Sequence, residues 1–173
     1  MKLRQALPGD IGELTDFYTV TNEVINKRNN HFNPGNEVWP TEKMITDAVR
    51  NNQQVVGIED GKIVLAVMVN GECDASYNSV KWNVETEKDE FWVIHALRVL
   101  PEYEGRGYAK QVLSYLIDAA PSHGIKSIRL DVLDGYGVEK LYRGFDFKYV
   151  DTVEIFYEDI GRPEKFRLLE RII

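Results

Sequence analysis

The chain reads as an α/β protein built on one core, and three observations carry that reading. Strand-like and helix-like segments follow one another in the order β-α-α-β-β-β-α-β-α-β-β. At residues 91–120 an apolar strand runs through a glycine turn straight into an amphipathic helix. Earlier, the dipeptide Asp60-Gly61 separates two apolar segments, which is a strong two-residue hairpin signal. With 173 residues and 43% hydrophobic content the chain can bury a sizeable core, and its length predicts a single domain over 1–173.

Taken in order, residues 2–6 read as a short strand, and Pro8, Gly9 and Asp10 open a helix carrying Ile11, Leu14, Phe17, Tyr18, Thr21 and Ile25 at helical spacing. A second helix starts at Pro40-Thr41, with Glu42 in its first turn and Met44, Ile45, Ala48 and Val49 on one face. Strands at 54–59 and 62–69 flank the hairpin turn. Residues 77–84, which include Trp82, are read as an extra strand outside the main order. Residues 91–100 are rich in β-branched and aromatic side chains and stop at Pro101, as a buried strand would. Downstream, Ala109, Val112, Leu113, Leu116 and Ala120 mark a helix ended by Pro121. Two last strands, 147–157 and 165–172, are joined by 158–163.

Composition excludes several classes of function. A net charge of −7 with no basic block argues against nucleic acid as a partner. The longest apolar run, 63–69, is far too short to span a bilayer and the N-terminus lacks an apolar signal region, so cytoplasmic residence without membrane contact is expected. The single Cys73 lies in a polar stretch and reads as an inert loop thiol. His31, His95 and His123 are scattered and there is no cysteine pair, so no metal is expected.

The segment from Pro101 to Lys110 reads as an anion cradle. Gly105 and Gly107 remove Cβ atoms that would hold a ligand off the backbone, and the first turn of the following helix has N–H groups without intrahelical partners. Those donors and the helix dipole suit a phosphate or pyrophosphate. A dinucleotide fingerprint would need a third glycine where Lys110 stands, although Asp131 lies where a ribose-binding acid would be sought. A Walker loop would need Gly-Lys-Ser/Thr, which is absent. The ordinary alternative is a tight turn with no ligand.

Val99-Leu100-Pro101 followed by Glu104-Gly105-Arg106-Gly107-Tyr108-Ala109 resembles the acyl-CoA loop of the GCN5-related N-acetyltransferase (GNAT) superfamily, Arg/Gln-x-x-Gly-x-Gly/Ala. Glu104 departs from it, being an acid where the family prefers Arg or Gln; Arg106 or Lys110 would offset the charge. A second stretch, Gly135 to Phe147, resembles the family's tyrosine-bearing helix through Leu141, Tyr142 and Phe147, while Gly135, Val138 and Asp146 replace the usual Asn, Ala and Gly. The resemblance implies a central mixed, mostly antiparallel sheet of about six to seven strands flanked by about four helices. It implies an acetyl-CoA-dependent N-acetyltransferase acting by direct attack of a primary amine on a small molecule or peptide. A CoA-binding or ligand-sensing module without catalysis is the alternative. A homodimer is left open.

From the same resemblance, CoA contacts are expected at Leu97, Arg98, Val99, Glu104, Gly105, Arg106, Gly107, Tyr108, Ala109, Lys110 and Tyr142, with pantetheine slotted between two splayed parallel strands. Because the chain's net charge repels CoA, local cations must help, and Arg98, Arg106, Lys110, Lys140 and Arg143 cluster around the two motifs. Tyr142 is the expected proton donor to the leaving sulfur, since a phenol with a pKa of about 10 is neutral at pH 7. His95 is the first choice of base, with a reference pKa of about 6.5. Glu23, Glu37 or ordered water are the alternatives. Phe32, Trp39 and Trp82, together with Glu23 and Glu37, are the expected acceptor contacts.

Overall fold

Seven strands and four helices are present among the described residues of the computed structural model, which are 1–29, 38–157 and 160–173. The strands are β1 (Lys2–Gln5), β2 (Gln54–Glu59), β3 (Lys62–Asn70), β4 (Phe91–Val99), β5 (Ser127–Leu133), β6 (Lys148–Tyr157) and β7 (Arg162–Ile172). The helices are α1 (Ile11–Asn29), α2 (Glu42–Arg50), α3 (Tyr108–Ala119) and α4 (Glu139–Arg143). The strands form one sheet in the order β1-β2-β3-β4-β5-β7-β6, mixed and mostly antiparallel as expected. The chain divides into two compact units: Met1–Val69 with His95–Val112 and Tyr157–Gly161, and Asn70–Ile94 with Leu113–Phe156 and Arg162–Ile173.

In the first unit β1, β2 and β3 form an antiparallel meander, with Lys2 opposite Ile58 and Gln54 opposite Met68. The hairpin turn forms where expected: Asp60 and Gly61 both take positive φ, 51° and 78°, as the tight turn between twisted strands demands. Leu14, Phe17 and Tyr18 of α1 and Ile45, Ala48 and Val49 of α2 share a core with Val56, Ile63 and Ala66. Thr41 caps α2, its Oγ1 accepting from the Met44 N–H at 3.3 Å. Met44 itself, expected on the apolar face, is 39% exposed at the margin of the stripe. One polar side chain in this core is satisfied rather than stranded: Gln54 Nε2 donates to the Val67 carbonyl at 2.9 Å and to the Tyr18 hydroxyl at 3.1 Å. Burial pushes the Tyr18 phenol well above its ordinary pKa.

In the second unit the start of β4 runs parallel to β5, with Phe91 opposite Ser127 and Val93 opposite Arg129. β5 then pairs antiparallel with β7 from Ser127–Ile172 to Leu133–Phe166. Arg129 and Glu170 face each other directly across that ladder, and both are buried. Arg129 Nε approaches Glu170 Oε1 at 3.3 Å, and Ser127 Oγ donates to the same oxygen at 2.8 Å. The guanidinium lies between the rings of Trp82 and Phe91, 4.2 and 4.4 Å from their centroids.

The expected strand at 77–84 does not form. Asp74 Oδ1 accepts from the Ser76 N–H at 2.8 Å and starts a 3-10 turn, Ala75–Ser79. The following residues are then captured by β5 and β7 side chains instead of a ladder. Tyr77 donates its hydroxyl proton to Asp131 at 2.9 Å, the Asn83 N–H donates to Glu170 Oε2 at 2.7 Å, and Arg129 Nη2 donates to Thr86 Oγ1 at 2.9 Å. β7 also begins earlier than expected and includes Pro163, next to the strand start, where a missing donor is tolerated.

Candidate active site

The glycine turn forms at the predicted place and opens α3. A 3-10 turn, Pro101–Tyr103, leads through residues 104–107 into α3, whose first bond runs from the Gln111 N–H to the Gly107 carbonyl at 3.1 Å. The N–H groups of the first turn, at Tyr108, Ala109 and Lys110, therefore precede any intrahelical acceptor. Gly105 and Gly107 hold φ of 75° and 82°, in the left-handed region. A Cβ at either would meet nothing within 4 Å, so what these positions require of glycine is backbone conformation, and the space beside them is open to a ligand.

Three ion pairs pin the loop. Glu102 takes Lys62 at 3.1 Å, Glu104 takes Arg28 at 2.7 Å and Arg106 takes Glu59 at 3.3 Å. Arg106 also lies 4.6 Å above the Tyr103 ring and donates to the Glu102 carbonyl at 3.2 Å. The Tyr108 hydroxyl donates to the second Glu59 oxygen, and this bond raises the Tyr108 pKa. The charge on Glu104 is thus offset by Arg28 of α1, not by Arg106 or Lys110 as the sequence implied. Lys110 is exposed on the first turn of α3.

Of the residues expected beside the thioester, His95, Leu97, Arg98 and Val99 belong to this first unit, half-buried along β4. Ala96 between them takes φ of 49°, a strained value for a residue with a Cβ.

In the second unit Tyr142 is buried on α4 and meets Phe147 edge to face, 5.7 Å between centroids. Arg143 pairs with Glu139 one turn earlier at 2.7 Å. Trp82 lies tilted against Tyr77, 5.2 Å between ring centroids, and gives its indole N–H to the Tyr77 carbonyl at 2.9 Å. It lines a cavity of about 800 Å³ together with Tyr77, Phe91, Cys73 and Arg129. Burial pushes the Cys73 thiol up, away from the reactive thiolate.

The other expected acceptor contacts are spread over the first unit. Trp39 packs against the core cluster with its ring 6.4 Å from Tyr157, and its carbonyl accepts from Asn22. Glu23 is exposed on α1, loosely paired with Lys27 at 3.9 Å. Phe32 and Glu37 lie outside the described residues. Arg28 and the Arg129–Glu170 pair are absent from the sequence reading. On β5 the charges Arg129 and Asp131 at alternate positions of an otherwise apolar strand are a signal, whereas nothing local marks Glu170 or Arg28. Among the described residues no cluster of His, Cys, Asp or Glu could hold a metal ion, and no helix is long and apolar enough to cross a membrane.

Comparison with known proteins bears on the fold and the family. A GNAT acetyltransferase from Streptococcus agalactiae 2603 superposes with a TM-score of 0.77 at 20% identity, covering 99% of this chain and 95% of that one. The ribosomal-protein-alanine N-acetyltransferase of Brucella melitensis gives 0.69 at 14% identity, with 100% of both chains covered. The yncA protein of Salmonella typhimurium, solved with its cofactor acetyl-CoA, gives 0.69 at 15% identity over 99% of this chain and 93% of that one. No curated protein sequence matches. Residues 23–147, which contain the glycine turn, the strained β4 and the tyrosine helix, match the Acetyltransferase (GNAT) family, and the chain belongs to that family.

Proposed function

We propose that this member of the acetyltransferase family moves an acetyl group from acetyl-CoA to a primary amine of a small molecule or peptide by direct attack, with residues 1–173 acting as one catalytic domain. The observation that carries the reading is the left-handed Gly105–Gly107 turn opening α3, with open space beside both glycines. The N–H groups of Tyr108, Ala109 and Lys110 hold the pyrophosphate there, aided by the helix dipole. The backbone of Leu97, Arg98 and Val99, just after the strained Ala96, holds the pantetheine amides and the carbonyl oxygen on which charge develops.

Bound acetyl-CoA supplies the acetyl group as a thioester. His95 Nδ1 or Nε2 takes the proton that the acceptor amine gives up, and the Tyr142 hydroxyl supplies a proton to the departing sulfur. Trp39, in the same unit as His95, contacts the acceptor. The net charge of −7 supports a cationic amine rather than nucleic acid as the acceptor.

The test is Tyr142→Phe, which removes one hydroxyl and keeps the ring against Phe147. CoA affinity by calorimetry is expected to stay within twofold. Thiol release with the best amine from a panel of polyamines, amino acids, aminoglycosides and peptide N-termini should slow about 10²-fold in kcat, the low end for a general acid because a thiolate leaves readily. Unchanged kcat would make Tyr142 a packing residue. Binding of acetyl-CoA by the wild type without thiol release to any amine would favour the module without catalysis.

A further inference from the structure

We propose that Arg28 is a ligand for the pyrophosphate at the cradle and that Glu104 is the positioning residue that holds it there. The proposal rests on the reading of residues 104–110 as a CoA site. Arg28 stands in the last turn of α1, a 19-residue helix, and its Nη1 donates to Glu104 Oε1 at 2.7 Å across 76 residues of sequence. Glu104 is the residue immediately before the glycine turn, so the pair brings a guanidinium to the carboxylate that leads into it.

The surrounding charges explain why this cation matters. Arg106, the nearest cation in sequence, is turned onto Glu59 and Tyr103 and bonded to the Glu102 carbonyl. Lys62 is drawn to Glu102. An unpaired acid at position 104 would repel a diphosphate approaching the α3 N-terminus. Arg28 cancels that repulsion, and a guanidinium has five donors in a planar fork, enough to serve a carboxylate and a phosphate oxygen at once. Both side chains are about half exposed, so the pair contributes little to folding and can rearrange around a ligand.

Neutralising Glu104 and touching the phosphate are different roles, and a double-variant comparison separates them. CoA and pantetheine affinities would be measured by calorimetry for the wild type, R28Q, E104Q and R28Q/E104Q, with circular dichroism and thermal midpoints confirming the fold. R28Q is expected to bind CoA about tenfold more weakly and pantetheine equally well, with a shallower salt dependence, as loss of a charge-assisted bond to phosphate requires. R28Q/E104Q should remain weaker for CoA than E104Q alone, because the phosphate contact is missing even when no acid needs neutralising. Equal CoA affinity in R28Q/E104Q and E104Q would overturn the proposal and leave the CoA site standing. A folded wild type that binds neither CoA nor pantetheine would overturn both.

Discussion

The cradle loop and the Arg129 cluster are both held by opposite charges, yet they are built for opposite ends. Around the loop, Glu102, Glu104 and Arg106 each reach a partner on a different element, and five of the six side chains are at least 42% exposed. In the cluster, Arg129 and Glu170 are 6% and 0% exposed, share Ser127, and hold residues 83–86 by three hydrogen bonds to backbone or side chain. Water screens the first set, so each pair is cheap to open. The second set is buried, so losing one partner leaves the other charge without its counterion. Pairs of the first kind open at little cost, whereas pairs of the second kind keep a segment on its sheet.

The sharpest way to break this contrast is Arg129→Met. It leaves the Glu170 carboxylate buried without its cation and should cost about 3–5 kcal/mol in urea unfolding. The double variant R129M/E170M, which removes both charges, should regain most of that. A single-variant loss below about 1 kcal/mol would place the cluster with the surface pairs.

Gly107→Val comes next. At φ of 82° a β-branched residue is strained by about 1–3 kcal/mol, and relaxing that strain moves the first N–H groups of α3. CoA affinity should fall by at least tenfold while the protein stays folded. Unchanged affinity by calorimetry would show that the turn does not hold the pyrophosphate.

The smallest effect is expected at a part-buried pair of the first unit. Arg4 holds Asp10 through bonds of 2.6 and 2.9 Å, and these keep the Asp10 carboxyl below its ordinary pKa. Because the folded pKa is the lower one, the stabilisation is present above the unfolded value of about 3.9 and is lost as pH falls through the folded value. Asp10→Asn should therefore cost roughly 0.5–1 kcal/mol from pH 7 down to pH 5, and the gap should close below about pH 4. A gap that widens in acid would reverse the sign argued here.

What the sequence determined by itself is what a few adjacent residues decide. Asp60-Gly61 makes its turn because two consecutive positive φ angles suit those residue types. Gly105 and Gly107 open α3 for the same local reason, and Thr41 caps α2 through a bond three residues long. The apolar spacings of α1 and α3 likewise sit within single helices. The tertiary structure alone decided the partners that lie far apart in the chain. Arg28 meets Glu104 over 76 residues, Tyr77 meets Asp131 over 54 and Arg129 meets Glu170 over 41. Residues 77–84 have the composition of a strand, but the side chains of β5 and β7 took their hydrogen bonds first. Periodicity records which face of an element is apolar; it does not record which charge on another element will complete it, because that choice depends on how the sheet brings distant strands into register.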